Sequence, residues 1–204
     1  MRLLIATTNP DKLREIRGLL AHTPVELVSL RDLPEVPEPE ETGTTFQDNA
    51  RLKARYYGAH SGMMTVAEDS GLVVDALDGE PGVYSARFVR PDASYPERFA
   101  EIYRRLAEHP TRPRSARFMC AVAVVNGSDL VYETTGVVEG EIAATPRGEA
   151  GFGYDPIFHY PSYNCTLAEV TEEQKLRVAH RGQAFRHLAN WLGVRAQIEK
   201  KGGL

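Results

Sequence analysis

The stretch Val66–Leu77, VAEDSGLVVDAL, limits what this chain can become more than any other. It sets two carboxylates and a hydroxyl between apolar runs. Met63–Ala67 reads as one buried strand and Leu72–Leu77 as another. Carboxylates buried among strands are costly unless they are paired or bind a metal. Glu68, Asp69 and Ser70 therefore either cap a Ser70–Gly71 turn or stand at a strand end as ligands.

The flanking segments alternate between strand and helix. Arg2–Ala6 is a short apolar strand that runs through Thr7-Thr8-Asn9-Pro10 into DKLREIRGLL. Asn9 is a good N-cap, Pro10 suits the first helical position, and Leu13, Ile16, Leu19 and Leu20 share one face. Val25–Leu30 reads as a second strand. The acidic, proline-spaced loop LPEVPEPEETG then reaches Thr44–Gln47, a capping-box pattern. A helix to about His60 follows, with Phe46, Ala50, Ala54 and Tyr57 inward and Lys53 close to that face.

Ser94–His109 reads as another helix, with Phe99, Ile102, Tyr103 and Leu106 inward. Ala116–Val125 is a long strand, and Asn126-Gly127 turns it back into Leu130–Val138 as a hairpin. The glycine-rich loop GEAGFGYDPIF comes next. Thr171–Gln174 is a second capping box and opens one last helix, with Leu176, Leu188, Trp191 and Leu192 toward the core; the tail KKGGL is expected to fray. Alternating elements with one hairpin give an α/β class with a mixed sheet.

A chain of 204 residues suits one domain with a sizeable core. A net charge of −4 argues against general nucleic-acid or anionic-membrane binding, so a polyanionic ligand needs a local cluster of Lys and Arg. No apolar run approaches the ~20 residues of a membrane span. The apolar part of MRLLIATTNPDK is shorter than a secretory signal and precedes no small-residue cleavage site. Two cysteines, Cys120 and Cys165, form no disulfide framework, which points to a reducing cytoplasm, and the histidines show no zinc spacing.

Four places can carry chemistry. TTNPDK opens a helix, whose N–H groups and dipole suit phosphate, with Thr7, Thr8, Asn9 and Lys12 adding donors and charge. Glu68 and Asp69, with Glu40 and Glu41 in the acidic loop, are hard oxygen ligands of the kind Mg²⁺ prefers. GFGYDPIF combines glycines, the rings of Phe152 and Tyr154 and the acceptor Asp155, a mixture that suits a flat heterocycle, while Phe158 reads as a core anchor. Lys175, His180 and Arg181 lie on the last helix, five and six positions apart, and need not share a face. No GxSxG elbow or Ser-His-Asp order supports a covalent hydrolase, so Ser70 reads as a phosphate or turn ligand.

Taken together, ATTNPDKLREI, EETGTTFQDNARLKA, AEDSGLVVDALDGEPGVYSARF, GFGYDPIF and TLAEVTEEQKLRVAHRGQA resemble the inosine triphosphate pyrophosphatase family, or dITP/XTP pyrophosphatases. The resemblance runs nearly end to end. It implies a single pyrophosphatase domain over residues 1–204, with a long mixed sheet flanked by helices, two lobes, a central cleft and a homodimer. It implies Mg²⁺-dependent hydrolysis of ITP, dITP and XTP to the monophosphate and pyrophosphate. In matching positions, Thr7, Thr8, Asn9, Pro10, Asp11, Lys12 and Lys53 contact the triphosphate. By the same resemblance Asp69 matches the general base and metal ligand, Glu40 best matches the other metal ligand, and Ser70 matches a substrate contact. Phe152, Gly153, Tyr154, Asp155, Lys175, His180 and Arg181 match the nucleoside-binding positions.

Three positions depart from the family pattern: Thr8 replaces a glycine, Glu68 an aspartate and Ala179 a serine. None removes a charged group from the expected site. Two other readings are a Maf-type pyrophosphatase for modified pyrimidines and a nucleotide-binding regulator that does not hydrolyse.

Overall fold

The computed structural model describes residues 1–202. Seven strands form one sheet in the order β2-β1-β3-β4-β5-β6-β7. They are β1 (Arg2–Ile5), β2 (Glu26–Ser29), β3 (Met64–Val74), β4 (Ser115–Asn126), β5 (Asp129–Ile142), β6 (Phe158–Tyr160) and β7 (Cys165–Thr166). β1 pairs in parallel with β2 and β3, whereas β6 pairs antiparallel with β5 and β7, so the sheet is mixed. The helices are α1 (Pro10–Leu20), α2 (Phe46–Ser61), α3 (Tyr95–Ala107), α4 (Glu172–Val178) and α5 (His180–Gly202). The α/β class with a mixed sheet is the one the sequence implies.

The chain divides into two compact units. The first comprises Met1–Asp69, Cys120–Gly136 and Arg181–Leu204, and the second Ser70–Met119 and Val137–His180. In the first unit, Ile5, Ile16, Val66, Val122, Phe185 and Leu188 belong to one apolar core. In the second, Leu72, Phe99, Ile102, Phe118, Ile157 and Phe158 belong to another. Each fully buried aliphatic or aromatic side chain contributes on the order of 1.5–3 kcal/mol.

Local chemistry explains most element boundaries. Asn9 caps α1 by accepting from the N–H groups of Asp11 and Lys12, with Pro10 at the first position. α2 is capped by Thr45 rather than Thr44, because it is Thr45 that accepts from Asp48 N–H three residues on. Its end is set by Gly62 at φ 65°, a left-handed conformation that costs glycine least. Ser94 and Glu97 form a full capping box on α3, as do Thr171 and Gln174 on α4.

Two expectations fail. Met63–Ala67 and Leu72–Leu77 are not two strands about a turn; β3 runs unbroken from Met64 to Val74 through both carboxylates, and Asp75–Leu77 is a 3-10 turn. The last helix is two helices, broken where Ala179 is extended at ψ 155°. Within α4 it is Lys175 that is buried, while Leu176 is only half-buried. Of the tail expected to fray, Lys200–Gly202 continue the backbone of α5, and the last two residues lie outside those described.

Candidate active site

The turn Thr7–Pro10 leaves β1 beside β3, where Ala6 N–H donates to the Val66 carbonyl at 2.8 Å. Thr7 Oγ1 accepts from Asn9 N–H at 3.3 Å, and Asn9 Oδ1 accepts from Asp11 and Lys12 N–H at 2.9 and 3.1 Å. The cap thus occupies two N–H groups of the helix start. The turn's capacity for an anion rests more on Thr7, Thr8 and the Lys12 ammonium than on bare backbone donors. Thr8 is exposed and is not among the residues with positive φ, so the turn forms without the glycine of the family pattern.

Successive residues of a strand face opposite ways, and β3 uses this to separate its two carboxylates. Glu68 is 3 % exposed. It accepts from Arg181 Nε and NH2 at 3.1 and 3.0 Å and from the Cys120 thiol at 3.2 Å, and it lies 3.2 Å from the Lys12 ammonium. Arg181 also donates to Glu15 at 2.7 Å. Burial opposes ionisation of Glu68, but Arg181, Lys12 and Lys53 outweigh it and hold the carboxyl well below its usual range. Burial, reinforced by Glu68, pushes the Cys120 thiol well up, so it stays protonated and inert.

Asp69 is 5 % exposed and turns toward α2. Lys53 Nζ donates to it at 2.9 Å and Asn49 Nδ2 at 3.3 Å. Lys53 also donates to Glu41 at 2.7 Å, so one ammonium serves two carboxylates. Burial raises the Asp69 pKa; Lys53 and Lys12 pull it back, Glu41 adds to the rise, and the net direction is up. Burial works against the Lys53 charge, yet Asp69 and Glu41 more than offset it. The acidic loop therefore brings Glu41 to this point, while Glu40 is exposed. The sequence does not single out Glu15 and Asn49, and only their long-range partners reveal them; Glu41, which it offers beside Glu40, is the one that turns inward.

The donor set suits a divalent ion. Glu41 and Asp69 already share a cation, and hard cations take one or two carboxylates plus substrate phosphate and water. No larger group of His, Cys, Asp and Glu is placed to hold a metal among the described residues. In this unit Glu15, Glu41, Glu68 and Asp69 face Lys12, Lys53 and Arg181, each cation touching at least one carboxylate. A polyanion arriving here meets cations already in use, which favours bringing a further cation with it.

The second unit carries the glycine-rich loop. Asp155 is 2 % exposed; its Oδ2 accepts from Phe152 N–H at 2.8 Å and from the Lys175 ammonium at 2.6 Å. That ammonium also lies 4.5 Å over the Phe152 ring. Lys175 is buried because Asp155 supplies its counter-charge. Gly151, at φ 72°, passes so close that a Cβ there would lie 2.2 Å from Asp155 Oδ2. Tyr154, read from sequence as a stacking ring, is a core anchor: it is 4 % exposed and donates to the Ser85 carbonyl at 2.9 Å. Phe158 is fully buried, as expected. His180 is buried and stacks on Phe118 at 4.8 Å. Ser70 and Gly153 are half-buried.

The Ham1 family profile matches residues 3–191. A dITP/XTP pyrophosphatase from an Exiguobacterium species is 47% identical over 188 residues, covering 92% of this chain and 95% of that one. One from Geobacter sulfurreducens is 44% identical over 192 residues, covering 94% and 96%. A HAM1 protein from Coxiella burnetii has a solved structure that matches with TM-score 0.88 and 38% identity, covering 94% of this chain and 98% of its own.

Proposed function

This chain belongs to the Ham1 family, and on that premise we propose that it hydrolyses deaminated purine nucleoside triphosphates. ITP, dITP and XTP would be cleaved to the monophosphate and pyrophosphate, which keeps them out of DNA and RNA. The observation that carries the reading is Asp69: a buried carboxylate with a raised pKa, held by Lys53 and Asn49, on the strand beside the phosphate turn. A carboxylate whose pKa burial raises above the ordinary aspartate value is a better proton acceptor than a solvated one, a role worth ~10²–10⁴-fold in rate.

The turn Thr7–Lys12, Lys53 and the acidic pair of β3 handle the phosphates. Thr7, Thr8 and Asn9 donate to them, Lys12 and Lys53 bring charge, and Pro10 and Asp11 shape the helix start; Ser70 follows Asp69 on the strand. Asp69 takes the proton of the water that attacks the α-phosphorus. Mg²⁺, held by Asp69 and the acidic loop at Glu40–Glu41, would offset the phosphate charge and align the chain. Glu41 is the residue of that loop in contact with Lys53.

The glycine-rich loop and the residues matched after it handle the nucleoside. Phe152 lies against the base, and Asp155 accepts from the N1–H that hypoxanthine and xanthine carry and adenine lacks. Lys175 supports that loop; His180 and Arg181 stand at the family's remaining nucleoside positions, and Arg181, bound here to Glu68 and Glu15, is the donor we assign to the 6-carbonyl. Each group left unpaired by adenine costs on the order of 1–3 kcal/mol. We take residues 1–204 as one catalytic domain and a homodimer, as the family resemblance implies, with the cytoplasm as its compartment. No helix among the described residues is long and apolar enough to cross a membrane.

A panel of nucleoside triphosphates with Mg²⁺, scored for monophosphate and pyrophosphate, tests the reading. Preference for ITP, dITP and XTP supports it. Preference for modified pyrimidines, release of orthophosphate as first product, or saturable binding without turnover would each replace it.

A further inference from the structure

The first turn of α3 meets the loop Phe152–Asp155 through a buried cation. Arg98 is 5 % exposed, and among the described residues no carboxylate pairs with it. Its NH2 donates to the Pro91 carbonyl at 3.2 Å, its Nε has no hydrogen-bond partner, and its guanidinium lies 4.9 Å from the centre of the Tyr95 ring. A buried cation without a counter-charge is costly, and an aromatic face is the partner that offsets part of that cost. The Tyr95 ring in turn meets Tyr154 edge-on, with centroids 5.4 Å apart and planes at 87°. A Cβ at Gly153 would lie 3.6 Å from the Tyr95 hydroxyl, so ring and loop backbone are close as well.

We propose that Tyr95, seated on Arg98, is a positioning residue for the nucleoside loop and sets where Phe152 and Asp155 stand when a purine nucleotide binds. The inference rests on the nucleoside-binding role given above to that loop. Lys175 holds one side of the loop through Asp155 and Phe152. Tyr95 holds the other side through Tyr154. Tyr154 is also anchored without Tyr95, by Phe99 at 6.0 Å and by its bond to the Ser85 carbonyl. Loss of Tyr95 therefore leaves the core anchor in place and frees the loop it carries. Arg98 acts one step further back: it fixes the Tyr95 ring by occupying its face.

The test is equilibrium binding of two probes to the full chain with Mg²⁺: inosine monophosphate, and imidodiphosphate, which carries no nucleoside. Tyr95→Ala and Arg98→Met are each expected to weaken inosine monophosphate about tenfold, the scale of a small misplacement of binding groups. Imidodiphosphate affinity is expected to stay within about twofold, and Tyr95→Phe, which keeps the ring, to match wild type. Unchanged inosine monophosphate affinity in both variants would overturn the proposal. So would an equal loss for the two probes, or a Tyr95→Phe variant as weak as Tyr95→Ala. If Tyr95→Ala does not fold by circular dichroism, Arg98→Met and Tyr95→Phe decide the matter. Binding needs no turnover, so a wild type that binds inosine monophosphate but releases no pyrophosphate from ITP sinks the proposed activity and leaves this comparison intact.

Discussion

Lys53 Nζ lies 2.9 Å from Asp69 Oδ1, and this contact helps to keep charged a carboxylate that burial pushes toward its protonated form. Asp69→Asn keeps the shape and loses both the base and the charge. The variant is expected to fold and to lose at least ~10²-fold in kcat with ITP, the lower bound for a general base. Steady-state turnover beside a melting curve checks this; a variant above a tenth of wild-type rate would remove Asp69 from the role.

The same contact sets a pH dependence. Asp69 must be ionised to accept a proton, and its pKa is raised by burial, against the pull of Lys53. The acid limb of kcat/KM is thus expected above the ordinary aspartate value of 3.8, with activity rising as pH rises through it. Lys53→Met removes the opposing attraction, so the limb should move further up. A limb that moves down in the variant contradicts the assignment.

Glu68 has the opposite sign. Its folded pKa is depressed by Arg181, Lys12 and Lys53 despite complete burial. Its stabilising contribution is present above the unfolded value near 4.5 and is lost as pH falls from there through the folded value. Glu68→Gln takes the carboxylate from Lys12 and from Arg181, which keeps Glu15, and is expected to cost about 3–5 kcal/mol at neutral pH. Denaturant titrations at stepped pH should show the gap between variant and wild type closing below about pH 4.5. A gap of constant size would mean that Glu68 is not ionised in the folded protein.

The sequence announces caps closely, because a cap is a local matter between residues two or three apart: Asn9 and Thr171 stand where their side chains indicate, and the cap of α2 is Thr45, one place from the Thr44 expected. It hides the continuity of β3, because Glu-Asp-Ser-Gly carries the residues of a solvated turn. What straightens it is pairing to Lys12, Lys53 and Arg181, cations from three separate helices that no local window contains. The buried Lys175 is hidden for the same reason, since Asp155 stands twenty positions upstream. Glu41 and Tyr154 differ: sequence names the right segments, but only packing decides which carboxylate turns inward and which ring enters the core.

Gly151→Ala is expected to disable the nucleoside loop. The added methyl would meet Asp155 Oδ2 at 2.2 Å, and the backbone there has φ 72°. The carboxylate must shift, and Phe152 N–H and Lys175 lose their acceptor. KM for ITP should rise at least about tenfold, as expected when binding groups are displaced. Inhibition by imidodiphosphate should stay near wild type. Equal effects on both would show that the glycine serves the whole fold rather than this loop.

The opposite orientation of Glu68 and Asp69 makes the chemistry of β3 a question of parity. One residue inserted between Thr65 and Ala67 would turn every later side chain of the strand over, bringing Glu68 to the place where Asp69 meets Lys53, moving Asp69 to the opposite face, and leaving Arg181 and Cys120 opposite Ala67. Such a chain would still spell every motif, and a search by pattern would accept it as intact. The carboxylate proposed as its proton acceptor would have lost Lys53 and Asn49. Among relatives of this protein, the count of residues between the start of the strand and its acidic pair is therefore a stricter mark of a working enzyme than the acidic pair itself.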